Sequence, residues 1–122
     1  MATWTLHLGD RVVGKVVERS EDFPRLDGVF TAESFMHGPA NAVERRLADF
    51  YRLNCECHRL LDLEDSLDVA KERSRNNEEL EPFEDLIESA DWTLRGPDRV
   101  IAILCPLFRP DGRITWSWRT PG

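Results

Sequence analysis

The sequence has no apolar run long enough to cross a membrane. Its longest, Val100-Ile-Ala-Ile-Leu-Cys-Pro-Leu-Phe108, spans nine residues, against the ~20 that a spanning helix needs. The opening residues, Met1 to Leu6, carry neither a basic cluster nor an apolar stretch, so no secretory leader is expected there. Cysteine is scarce and odd in number: Cys55, Cys57 and Cys105 are the whole set. That argues against a secreted disulfide framework and for a reducing cytoplasm. Lysine is almost missing, since fourteen of the sixteen basic residues are Arg, a bias expected of a GC-rich bacterial genome. Gly9, Gly28, Gly38 and Gly112 are isolated turn residues, and none opens a phosphate-binding loop. No basic footprint dominates, so direct nucleic-acid binding is not expected. Neither a membrane nor a cofactor is expected as a partner.

What is present is acid. The 122 residues carry a formal net charge of −7. Residues 62–91 hold twelve acids against three bases, a net −9, while the rest of the chain holds eleven against thirteen, a net +2. An acidic patch of this kind repels phosphate and attracts basic proteins. The length predicts one domain, 1–122, able to bury a core without metal or disulfide staples.

The closing stretch, Trp92 to Trp118, organises the chain. Its central run is apolar on both parities, as an interior strand requires, and Pro106 must sit at its end, at a bulge or on an edge. The Arg109-Pro-Asp-Gly-Arg113 turn follows, then a strand over 114–119. At the other end Thr3 to Leu8 alternates with the period of a half-buried strand, and Gly9-Asp10 turns it into a second strand over 11–19. Gly14 within that strand marks a bulge or a close backbone approach. Ser20 to Pro24 reads as a polar loop in which Pro24 holds Phe23 extended. Asp27-Gly28 reads as a turn before a short strand over 29–31.

Gly38-Pro39 breaks the chain before a helix. Asn41 is a good N-cap with Glu44 three residues on, a variant of the capping box. Val43, Leu47, Phe50, Asn54, Cys57 and Leu61 then recur on one face. Glu64-Asp65-Ser66 caps a second helix that Asn76-Asn77 ends, and Pro82 opens a third. The expectation is an α+β fold. An antiparallel sheet of about five or six strands is built from N- and C-terminal hairpins, with two or three helices (about 41–63, 67–75 and 82–91) packed on one face. Trp4 to Val13 and Trp92 to Ile101 also align without gaps, with Trp, Thr, Leu, Asp, Arg and Val in common. Either two hairpins converged on one strand-turn-strand chemistry, or they form a pseudo-symmetric pair flanking the helices.

Several clusters invite a chemical reading. Cys55-Glu-Cys-His58 has metal-binding residue types, but residues two apart on a helix point ~200° away from each other, so the two thiols cannot share an ion. No metal site is expected. Cys55, His58 and Asp62 lie on one helical stripe in the order nucleophile, base, acid. A mid-helix Cys nevertheless lacks nearby N–H groups to hold an oxyanion or lower its pKa. Trp116 and Trp118 share one side of the last strand, as core residues or as an exposed binding anchor.

The pattern Trp4-x-Leu6, Gly14-x-Val16, Asp22-Phe-Pro24, Gly28-Val-Phe30 resembles that of small uncharacterised bacterial proteins. In them an N-terminal hairpin precedes an acidic helical middle and a final pair of strands. The resemblance covers residues 1–35 and the general layout. It implies no activity, and no residue role is carried over from it.

The leading expectation is a non-enzymatic protein-binding module, a small acidic cytoplasmic bacterial protein of the immunity, inhibitor or accessory-subunit type. It would bind a basic partner through residues 62–91, with Glu78, Glu79, Glu81, Glu84, Asp85, Glu88, Asp91, Trp116 and Trp118 as contact candidates. One alternative is a small enzyme with a Cys/His pocket on helix 41–63. Another is a structural, homo-oligomer-forming domain of a larger defence or counter-defence assembly.

Overall fold

Residues 2–20 and 25–119 are described by a computed structural model. The loop read from Ser20 to Pro24 falls largely outside them, as does the Asp22-Phe-Pro24 part of the resemblance. The strands are β1 (Thr3–Leu8), β2 (Arg11–Ser20), β3 (Arg25–Ala32), β4 (Trp92–Arg95), β5 (Val100–Ala102), β6 (Leu107–Phe108) and β7 (Arg113–Ser117). The helices are α1 (Ala42–Leu61), α2 (Leu67–Leu80) and a single turn, α3 (Glu84–Ile87), with 3-10 turns at Ser34–Met36 and Glu81–Phe83. The fold is α+β, and its sheet has seven strands rather than five or six.

The strand order is β5-β4-β1-β2-β3-β7-β6, with every pair antiparallel. The two ends of that order, β5 and β6, are pieces of one interrupted strand over 100–108. Its first half pairs with β4 and its second with β7. At the break, Ile103 N donates to Trp92 O at 3.1 Å on one side, and Leu104 N donates to Ser117 O at 3.0 Å on the other. Ile103 also bridges Trp118. The two ends of the order therefore meet through this bridge, which closes the sheet at one point and leaves the side of β6 away from β7 without a strand among the described residues. Pro106 sits in the break, fully buried, where it interrupts no ladder.

The repeated sequence has a structural counterpart. β1 and β4 are direct neighbours, with Leu6 opposite Leu94, Thr5 opposite Arg95 and His7 opposite Thr93. Leu6 and Leu94 hold the same place in the two copies, so a local two-fold axis passes between them. The turns match as well: Leu8 pairs with Arg11, and Gly96 N donates to Arg99 O at 2.9 Å. Trp4, Leu6, Trp92 and Leu94 are all buried.

Gly14 meets both expectations made of it. The register between β1 and β2 shifts at Leu6/His7, which is a bulge. A Cβ on Gly14 would sit 2.5 Å from the Phe30 ring and from Thr31 O. Asp27-Gly28, read as a turn, lies instead inside β3, which runs from Arg25 and not from Val29. There Gly28 lets Val17 O approach where a Cβ would stand, so its small size serves strand packing and not a turn.

α1 begins as its sequence predicts: the Asn41 side chain accepts from Glu44 N at 2.9 Å. The Glu44 carboxylate accepts from Ala40 N at 2.9 Å, which completes a capping box shifted by one residue. Leu47, Phe50 and Leu53 face the interior. Rings of Phe30, Tyr51 and Phe108 form a cluster there, with Tyr51 stacked on Phe108 at 5.0 Å between centroids. Asn54 is buried, and its side-chain oxygen accepts from Phe108 N at 2.8 Å. The helix thus supplies β6 with the partner that no strand provides.

The expected end of α2 at Asn76-Asn77 does not occur; the helix runs on to Leu80. Asn76 is buried and its Nδ2 donates to Leu53 O at 3.1 Å, a tertiary bond that outweighs a weak local preference. Asn76 is also the only buried residue of α2, which packs chiefly on α1, with Leu80 at its end against the core. The helix expected over 82–91 is the 3-10 turn and α3 alone, ending at Ile87.

Candidate functional site

The acidic segment is held in place by three side chains. Arg73 of α2 reaches back to the end of α1, donating to Leu60 O at 2.9 Å and 3.1 Å and to Leu63 O at 3.0 Å, and pairing with Asp65 at 2.7 Å. It satisfies carbonyls that the helix terminus leaves open. Arg46 of α1 grips the far part of the segment. It donates to Pro82 O at 2.8 Å, forms a two-pronged pair with Asp85, and lies over the Phe83 ring at 5.3 Å. The indole N–H of buried Trp92 donates to Leu86 O at 2.7 Å. Leu86 is thereby pinned inward and the neighbouring acids are turned outward.

Glu78, Glu79, Glu81, Glu84, Asp85, Glu88 and Asp91 are all exposed. Asp85 is committed to Arg46, whose hydrogen bond holds its carboxyl below the usual carboxylate range. Among the described residues the other six make no ion pair. Their charges face solvent uncompensated, within a stretch of fourteen residues, 78–91.

The tryptophans separate. Trp116 is 3% exposed and belongs to the core, so it offers no anchor to a partner. Trp118, of the same parity, is 44% exposed; it lies past the end of β7, where a bridge to Ile103 continues the pairing.

Among the described residues, no hydrogen bond joins Cys55, His58 and Asp62 to one another. His58 Nδ1 is 2.8 Å from Asn54 O, so this nitrogen carries the proton and is spent on the helix backbone. Asp62 caps α1 and lies 3.9 Å from Arg109. Burial pushes the Cys55, Cys57 and Cys105 thiols upward, Cys105 to about 12, which is the opposite of nucleophile activation. Cys55 does line an open cleft of about 430 Å³ with His37, Tyr51, Arg52 and Glu56. Among the described residues, no three His, Cys, Asp or Glu side chains converge as metal ligands, and no helix is long and apolar enough to cross a membrane.

Nothing in the sequence marks Arg46 or Arg73; helical spacing places Asn54 on the packed face and Asn76 reads as a helix end, but neither pattern shows the bonds to Phe108 N and Leu53 O. Each of the four acts on a partner that only folding brings near, 39 residues away for Arg46 and Asp85. Comparison with protein-family models, curated proteins and solved structures finds no match.

Proposed function

We propose that the chain is a non-enzymatic protein-binding module of the immunity, inhibitor or accessory-subunit type, acting in a bacterial cytoplasm. It engages a basic partner through the outward acids of residues 78–91. The observation that carries this reading is the six exposed carboxylates without ion pairs, set on a backbone that Arg46, Arg73 and Trp92 hold fixed. Self-repelling charge on a rigid frame lowers folding stability, and a cationic partner relieves it while gaining rapid, charge-steered association. Asp85 belongs to the frame and is left out of the binding set.

The test uses a variant with Glu78→Lys, Glu81→Lys, Glu84→Lys and Glu88→Lys, beside the wild type, as baits in the source organism. The wild type is expected to recover a basic protein that the variant does not. The recovered complex should weaken sharply as salt is raised toward 1 M, where the screening length falls to ~3 Å. Equal recovery by both baits would sink the proposal.

A further inference from the structure

The run from Val100 to Phe108 is apolar on both parities, yet its first half is covered on one side only. Ile103 is fully buried and Ile101 packs against the core, whereas Val100, Ala102 and Leu104 are exposed, Val100 at 61% and Leu104 at 49%. These alternate positions share the side of the strand that faces away from the core. A strand face turned to water normally carries polar residues, so an apolar stripe there asks what covers it.

The register fixes what flanks the stripe. Arg95 stands opposite Val100, and Thr93 opposite Ala102. Ile103 N donates to Trp92 O at 3.1 Å and Gly9 N donates to Asp91 O at 2.9 Å, so the strand line runs on and brings Asp91 level with Leu104. Asp91, Thr93 and Arg95 alternate with buried Trp92 and Leu94 and so share the outer side. The patch thus has a cation beside Val100 at one end, small side chains at its centre, and a carboxylate beside Leu104 at the other end. Among the described residues neither Asp91 nor Arg95 is in an ion pair. Arg95 donates to Gly9 O at 2.8 Å and to Thr93 Oγ1 at 3.4 Å, which fixes its place. Arg119, whose N donates to Ala102 O, turns its guanidinium to Ser89 O at 3.5 Å and leaves Ala102 exposed.

This arrangement is complementary to itself. A two-fold axis in the plane of the sheet, crossing the strands at Ala102, sets a second copy face to face with the first. It lays Leu104 on Val100, Ala102 on Ala102, Thr93 on Thr93 and Asp91 on Arg95, the last pair twice. A two-fold along the strands would instead lay both charges on apolar side chains. Isologous contacts require such self-complementarity, and small residues at the axis let the two strands approach. Going beyond the proposed function, with which it shares only Asp91, we infer that the outer face of β4 and β5 binds a second copy of this chain. The stripe is narrow, so the dimer is a transient one.

The test uses the full-length protein alone, so it stands apart from any partner recovery. Sedimentation from about 10 μM to about 1 mM is expected to show a monomer–dimer equilibrium. Ala102→Lys, at an exposed position on the axis, puts two ammonium groups face to face. It is expected to weaken the dimer at least about tenfold with an unchanged thermal midpoint. Asp91→Arg and Arg95→Asp are each expected to be monomeric where the wild type dimerises. An equimolar mixture of the two is expected to regain the dimer, because every opposed pair is again Arg against Asp. A wild type that stays monomeric throughout, or a dimer that Ala102→Lys leaves intact, would overturn the inference. So would a mixture of the two folded charge variants no more dimeric than its components. Should Arg95→Asp fail to fold, since Arg95 also holds Gly9 O, the wild type and Ala102→Lys decide the matter.

Discussion

At the scale of single residues, the buried polar and ionisable groups decide what the molecule tolerates. Burial raises Cys105 from an ordinary value of 9.0 to about 12, and burial first, then Cys55, raises Tyr51 from 10.0 to about 12. Both groups are neutral in the folded state where the unfolded chain would already ionise. The stability they contribute is therefore fully present below about pH 9 and is lost as pH rises toward 12. Urea midpoints measured across that range should fall steadily, and the decline should shrink in a Cys105→Ala variant compared with its own midpoint at pH 7. A flat profile from pH 9 to 11 would contradict this account. The same burial holds the Cys55 thiol above its ordinary value, away from nucleophile activation. Composition can count thiols, but it cannot say which are desolvated.

Among elements, the join between α1 and the interrupted strand 100–108 matters most. Local preference treats Asn54 as a poor helix residue, worth roughly 0.6 kcal/mol less than Ala. Its side chain nonetheless accepts from Phe108 N, a buried donor on the side of β6 away from β7. Asn54→Ala should therefore destabilise by about 1–3 kcal/mol, the cost of leaving that donor orphaned, despite the gain in helix propensity. A denaturant midpoint that rises on this substitution would refute the role given to Asn54. Asn76 shows the same competition: it reads as a helix stop, yet its bond to Leu53 O carries α2 on to Leu80. The beginnings of both helices were legible, because Asn41 and Ser66 bond amides only three residues away, Glu44 N and Val69 N. The end of α2 was not, because it depends on a residue of another helix.

At the scale of the whole molecule, the closed ring of strands separates a scaffold from a charged appendage. Closure near the end of β7 rests on one bridge, Ile103 to Trp118, made of Leu104 N donating to Ser117 O and Arg119 N donating to Ala102 O, each at 3.0 Å. Truncation after Ser117 removes the second of these bonds, together with the Trp118 indole. A loss of roughly 2 kcal/mol follows, or about 5–10 °C in Tm. Circular dichroism melts of the truncated and full chains measure it directly, and an unchanged Tm would mean that the Trp118–Arg119 end of the bridge contributes nothing. The repeated Trp-Thr-Leu segments meet where β4 joins β1, across a local two-fold between Leu6 and Leu94.

By itself the sequence determined the α+β class, the hairpin at each end, the caps of the helices and the clustering of acid in residues 62–91. Alternation, capping and charge are local properties, read over a few neighbours. The tertiary structure alone decided that the sheet closes and that Trp116 is buried while Trp118 is exposed. It also decided that Asp85 serves Arg46 whereas Glu84 and Glu88 stay open to solvent. Each of these depends on which distant residue arrives as a neighbour, and that is set by how all the apolar faces pack at once, not by the spacing within any one segment.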